Sequence, residues 1–130
     1  MWAAEEVPSD ATLYQRVHRN NLDERGVPKP GAFRNTPTKQ DGMSTDWDRY
    51  STPHETRHRA RNPLDNIVIA LAVGQVRDIA GQSVEHTPVQ PAIDTAGNRA
   101  HCDVFGEKTT EARLKLLEIY TPLPEISLDR

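Results

Sequence analysis

The chain has 130 residues, 16 basic and 19 acidic side chains and a net charge of −3, which fits one domain and leaves no room for two ordinary ones. With glycine counted and tyrosine left out, 50 residues are apolar, below the about 45–50% of an average globular chain, so the core is thin and part of the chain is loop. The longest uncharged apolar run, residues 67–76, has ten residues where a membrane-spanning helix needs about 20, and the negative charge offers no general attraction to nucleic acid.

The opening MWAAEEVPSD carries Glu5 and Glu6 where a secretory leader would be basic and then apolar. Cys102 is the only cysteine, which excludes an internal disulfide, a CxxC pair and a four-cysteine zinc site and predicts a cytoplasmic location. Residues 1–63 hold 17 hydrophobic residues, six of the ten prolines and no isoleucine, whereas residues 64–130 hold 29 hydrophobic residues and all six isoleucines. One domain over 1–130 is therefore expected. Residues 1–11 should be a flexible terminus, residues 12–63 a strand, long loop and short helix wrapping the core, residues 64–121 the main core, and residues 122–130 a tail.

In chain order, TLYQRVH at 12–18 reads as a strand, with Leu13, Gln15 and Val17 on one face and Tyr14, Arg16 and His18 on the other. Residues 20–48 carry turn signals at Gly26, Pro28, Pro30, Gly31, Pro37 and Gly42 and read as a long ordered loop. Thr52, Pro53 and Glu55 spell a helix start with a capping box, and Asn62-Pro63 should stop that helix. NIVIALAV at 66–73 is β-branched enough for a buried strand, yet its even apolarity fits a buried helix too. QVRDIA suggests a short helix up to Gly81. SVEHT at 83–87 and HCDVF at 101–105 alternate like strands. Residues 110–120 form a helix with an apolar stripe of Ala112, Leu116, Leu117, Ile119 and Tyr120, and Glu111 and Lys115 spaced as an i,i+4 pair, ended by Pro122. The sum is an α+β fold: a small mixed or mainly antiparallel sheet of about four strands with two or three helices.

Three constellations bear on chemistry. His54-Glu55-Thr56-Arg57-His58 matches the H-E-x-x-H zinc pattern. However, Pro53 puts His54 in the positively polarised first turn, Glu55 is taken by the cap, and Arg57, Arg59 and Arg61 surround the site, so no metal is favoured there. Those arginines form the densest basic cluster and are the one place for nucleic acid, with a solvated helix face as the plainer reading. The third set is dispersed: Tyr14, Arg16 and His18 on one strand face, Arg34-Asn35-Thr36 and Ser44-Thr45-Asp46-Trp47 in the long loop, and His86 and His101 on later strands. Folded together, they would make a polar cleft for an anionic ligand, with Arg16, His18, His86 and His101 as the catalytic candidates. Cys102 with a histidine base is a minor alternative, and His101, adjacent on a strand, would point away from it.

LYQRVH (13–18), GAFRNT (31–36), DGMSTDW (41–47), YSTP (50–53), VEHTP (84–88) and NRAHCDVFGEKT (98–109) together resemble a group of small bacterial proteins of uncharacterised activity, over about residues 12–120. The resemblance implies a shared fold and transfers no catalytic residue. A second likeness, to NAD-dependent ADP-ribosyltransferase-type toxins, implies NAD contact for Arg16, without the late glutamate motif of that group. The expectation is a cytoplasmic accessory or regulatory protein, without cofactor, that binds a protein partner or a small anion. The alternative is a small NAD-using or RNA-cleaving enzyme on the arginine–histidine set.

Overall fold

The computed structural model describes residues 1–37 and 42–128; positions 38–41 of the expected loop and the last two of the expected tail lie outside the described residues. The strands are β1 (Thr12–His18), β2 (Met43–Trp47), β3 (Asn66–Ala72), β4 (Ser83–His86), β5 (His101–Phe105) and β6 (Thr121–Pro122), and the helices are α1 (Pro53–His58), α2 (Val73–Arg77) and α3 (Thr110–Ile119). The strands form one antiparallel sheet in the order β4-β5-β2-β1-β3-β6. The α+β class is as expected, with six strands rather than about four.

Alternation decides the faces. Leu13 and Val17 of β1 stand beside Leu71 and Ile67 of β3 and share a core with Trp47, Met43, Cys102, Val104 and Val84. Helices α2 and α3 cover this inner face through Val73, Val76, Ala112 and Leu116. The opposite face carries Tyr14, Arg16 and His18, in register with Ala70, Val68 and Asn66 of β3. Helix α1 lies over part of it, because the Arg16 guanidinium donates to the Thr56 carbonyl at 2.9 Å. Val68, Ala70 and Ile126 are buried as well but stand outside the main cluster. Strand β3 is thus covered on both faces, which is why its sequence shows no alternation.

Local signals hold where they are strongest. Thr52 accepts from the Glu55 N–H at 3.2 Å and Glu55 accepts from the Thr52 N–H at 2.9 Å, the reciprocal capping box. Thr109 caps α3 by accepting from Ala112 N–H at 3.1 Å.

Several expectations are corrected. Helix α1 ends at His58, with Arg59 as its cap, before the Asn62-Pro63 stop is reached. The second helix runs Val73–Arg77, starting where the apolar run leaves the sheet. Lys115 pairs with Glu118 at 4.0 Å, one turn in the other direction from Glu111. Ser44 and Trp47, expected in a loop, belong to β2, and β6 adds two residues beyond α3. The first half does more than wrap: β1 and β2 are the two central strands. Residues 1–11 lie along the body, with Val7 buried in the core, Trp2 exchanging two hydrogen bonds with Gln90, and Glu5 bonded to Tyr50.

Candidate functional site

Strand β1 pairs fully with β3 but meets β2 only at Leu13↔Trp47 and Tyr14↔Asp46. From residue 15 onward the central strands diverge, β2 continuing along β5 instead. The fork holds a groove of about 450 Å³ whose lining includes Tyr14, Arg16, His18, Arg34, Ser44 and His101. These six dispersed candidates, with Thr36 and Thr45, thus share one surface. Asp46, Thr56, Asn66 and Asn98 also line it. A larger groove of about 650 Å³ at the β3–β6 edge, with Leu22, Ile67 and Tyr120, holds none of the candidates.

Each side chain has a distinct environment. Arg34 is exposed and makes no hydrogen bond or ion pair among the described residues. Arg16 is half-buried; burial lowers its pKa from the ordinary value, and Asp46 acts in the opposite sense. His18 accepts from the Asn20 N–H through Nδ1 at 3.1 Å. Burial, and then the charges of Asp48 and Glu125, raise the pKa of Tyr14.

Asp46 is the electrostatic counterweight. Its carboxylate accepts from Arg59 Nη1 and from Asn98 Nδ2, each at 2.8 Å, and its side chain is 5% exposed. Arg59 also donates to Ser51 Oγ at 2.7 Å, and Arg57 donates to the Pro63 carbonyl at 3.0 Å. Two of the three arginines read as a basic cluster are therefore spent on the fold. Only Arg61 stands exposed without a partner among the described residues, which weakens the case for a nucleic-acid surface there.

The remaining candidates fall elsewhere. His86 pairs in register with Cys102, not His101, so it faces the core. Its Nδ1 accepts from Glu5 N–H at 2.9 Å, Nε2 sits 2.6 Å from the Arg99 carbonyl, and its ring packs edge-on to Trp47. Both nitrogens are occupied, and His86 is a structural histidine. Trp47 is buried in the core against Tyr50 and His86. Asn35 ties the loop to the β5 end: its amide donates to the Gly106 carbonyl, and its oxygen accepts from Lys108. His54 and His58 are both exposed, and no group of three metal-binding side chains occurs among the described residues. Burial pushes the Cys102 thiol up to about 12, which leaves it a poor nucleophile.

Sequence reasoning missed Asn66 and Asn98, and it placed Asp46 in the dispersed set without a role of its own. Asp46 lay inside a run read as loop, and a buried acid there has no periodic signature; only register with Tyr14 and His101 puts it at the groove. The chain matches no family model, no curated protein and no solved structure.

Proposed function

We propose that this chain is a binding protein whose β1–β2 groove takes a small ligand bearing a phosphate or carboxylate. Arg34 and Arg16 supply the charged contacts, and Tyr14, His18 and Ser44 supply hydrogen bonds. The observation that carries this reading is Arg34, which lines the same groove as Arg16 and has no protein partner among the described residues. A planar five-donor cation left open in a groove that also holds a second one suits bidentate capture of an anion. It also stands out on a chain of net charge −3.

Thermal melting against inorganic phosphate, mononucleotides, NAD and short RNA tests the proposal. A ligand present at 100 times its dissociation constant stabilises by about 2.7 kcal/mol, on the order of 8–10 °C for a domain of this size. The shift should vanish in Arg34→Ala. A flat response to every anion, or a shift that survives Arg34→Ala, overturns the reading. A response confined to NAD or to RNA would favour the small-enzyme alternative for this groove.

A further inference from the structure

One side of the groove carries a chain of polar contacts that anion binding does not require. On the outer face, β2 presents Ser44 and Asp46 beside Asp103 and His101 of β5. Ser44 is exposed, His101 is half-buried with its side chain 19% exposed, and Asp103 is buried with its side chain 3% exposed. His101 Nε2 lies 3.3 Å from Ser44 Oγ. Its Nδ1 lies 3.0 Å from the Thr87 hydroxyl and 3.0 Å from the Thr87 carbonyl. The Thr87 hydroxyl donates to Asp103 Oδ2 at 2.8 Å, and that carboxylate oxygen is 3.9 Å from Nδ1.

The protons can be placed from these partners. A carbonyl only accepts, and the Thr87 hydroxyl has given its hydrogen to Asp103, so both partners of Nδ1 need a hydrogen from it. In the neutral ring the hydrogen therefore sits on Nδ1, with the Nε2 lone pair turned toward the Ser44 hydroxyl. Asp103 is held in turn, since a Cβ on Gly42 would come within 2.6 Å of its carboxyl. The charged residues facing His101 from the elements packed against it are Asp103 on its own strand, Asp46 opposite it on β2 and Glu85 of β4, paired with Asp103, and Arg34 lines the same groove.

We infer that Ser44 is a nucleophile activated by His101, with Thr87 and Asp103 as positioning residues, and that the groove hydrolyses carboxylic esters carrying a phosphate or carboxylate group. The substrate class rests on the anion-binding reading of the groove; the Ser44–His101 chemistry does not. Ser44 Oγ bonds to the ester carbon while its proton passes to His101 Nε2. The C–O bond to the alcohol then breaks, and His101 returns the proton to the departing oxygen. Water, giving a proton to the same nitrogen, then bonds to the acyl carbon, the carbon–Oγ bond breaks, and His101 returns that proton to Ser44 Oγ as the acid leaves. The Thr36 hydroxyl lies 3.4 Å from Ser44 Oγ, and Arg34 lines the same groove, so both are candidates to stabilise the oxyanion.

A fluorophosphonate probe tests the step, because an activated serine bonds to its phosphorus and expels fluoride, the hydroxyl proton leaving through the base. Peptide mass analysis should place the adduct on Ser44 and find none in Ser44→Ala. His101→Gln should slow labelling at least about 100-fold. Asp103→Asn and Thr87→Val, two routes to the same break, should move the pH midpoint of labelling downward, since each removes support for the imidazolium. No adduct on the wild-type chain, or labelling unaffected by His101→Gln, overturns the inference. Phosphate-induced melting shifts recorded on the wild-type chain separate the two readings. A wild-type shift without wild-type labelling sinks only the nucleophile, and His101-dependent labelling without a shift sinks only the anion site.

Discussion

Asp46→Asn perturbs the groove's counterweight with almost no change of shape. The native carboxylate serves two donors, Arg59 Nη1 and Asn98 Nδ2, each at 2.8 Å. An asparagine has one acceptor oxygen, so one donor faces an NH2 group and the other loses its charge-assisted partner. The Asp46 side chain is 5% exposed and that of Arg59 is 28% exposed, so solvent cannot fully replace what is lost. A charge-assisted hydrogen bond contributes about 1.5–3 kcal/mol, and breaking one side of a buried pair costs about 3–5 kcal/mol. Arg59 keeps its bond to Ser51 and some water, which brings the expected cost to about 2–4 kcal/mol. For a domain of this size that is on the order of 7–14 °C in melting temperature. Chemical and thermal unfolding of Asp46→Asn, Arg59→Met and the double variant would measure the cost and the coupling, expected at about 1–3 kcal/mol. The same change leaves the groove more positive, so phosphate should bind the variant more tightly than wild type. A loss under about 0.5 kcal/mol with additive single effects, as for an exposed pair, would refute the reasoning.

Other expectations follow from single environments. Arg34→Ala, which removes a side chain without a partner among the described residues, should change unfolding free energy by no more than about 0.5 kcal/mol in denaturant melts. Leu116→Ala, which empties a fully buried site under α3, should cost about 2–5 kcal/mol by the same measurement. Lys108 donates to Asn35, Gly106 and Val104 at 2.7, 2.7 and 3.1 Å, and burial brings its pKa down from 10.5 to about 8. The folded chain therefore releases this proton before the unfolded chain does. Between about pH 8 and 10.5 the unfolded state holds more protons, so wild-type stability relative to Lys108→Met should rise with pH; a difference that stays flat across that window would count against it. With its thiol at about 12, Cys102 should resist iodoacetamide at pH 8 until denaturant is added, as followed by intact mass.

Elements whose signal is local were legible in the amino-acid order alone. The alternation over Thr12–His18 told which side chains share a face, the Thr52–Glu55 spacing specified a helix start, and the residues from Thr110 to Tyr120 specified a helix, which ends one residue earlier with Tyr120 as its cap. Each of these depends on contacts within a few residues. Strand β2 was hidden because it is central: Met43, Thr45 and Trp47 face the core while Asp46 is buried on the other face by Arg59 and Asn98, so polarity does not alternate. Register could not be read at all. His86 and His101 are both strand residues of similar composition, and a one-residue offset, His86 opposite Cys102, sends one into the core and the other to the groove. The groove itself exists because β2 leaves β1 after two paired positions and follows β5, a choice made by long-range pairing between segments more than 50 residues apart. Residue types therefore determined which chemistry was available, and the tertiary pairing decided which of those groups meet.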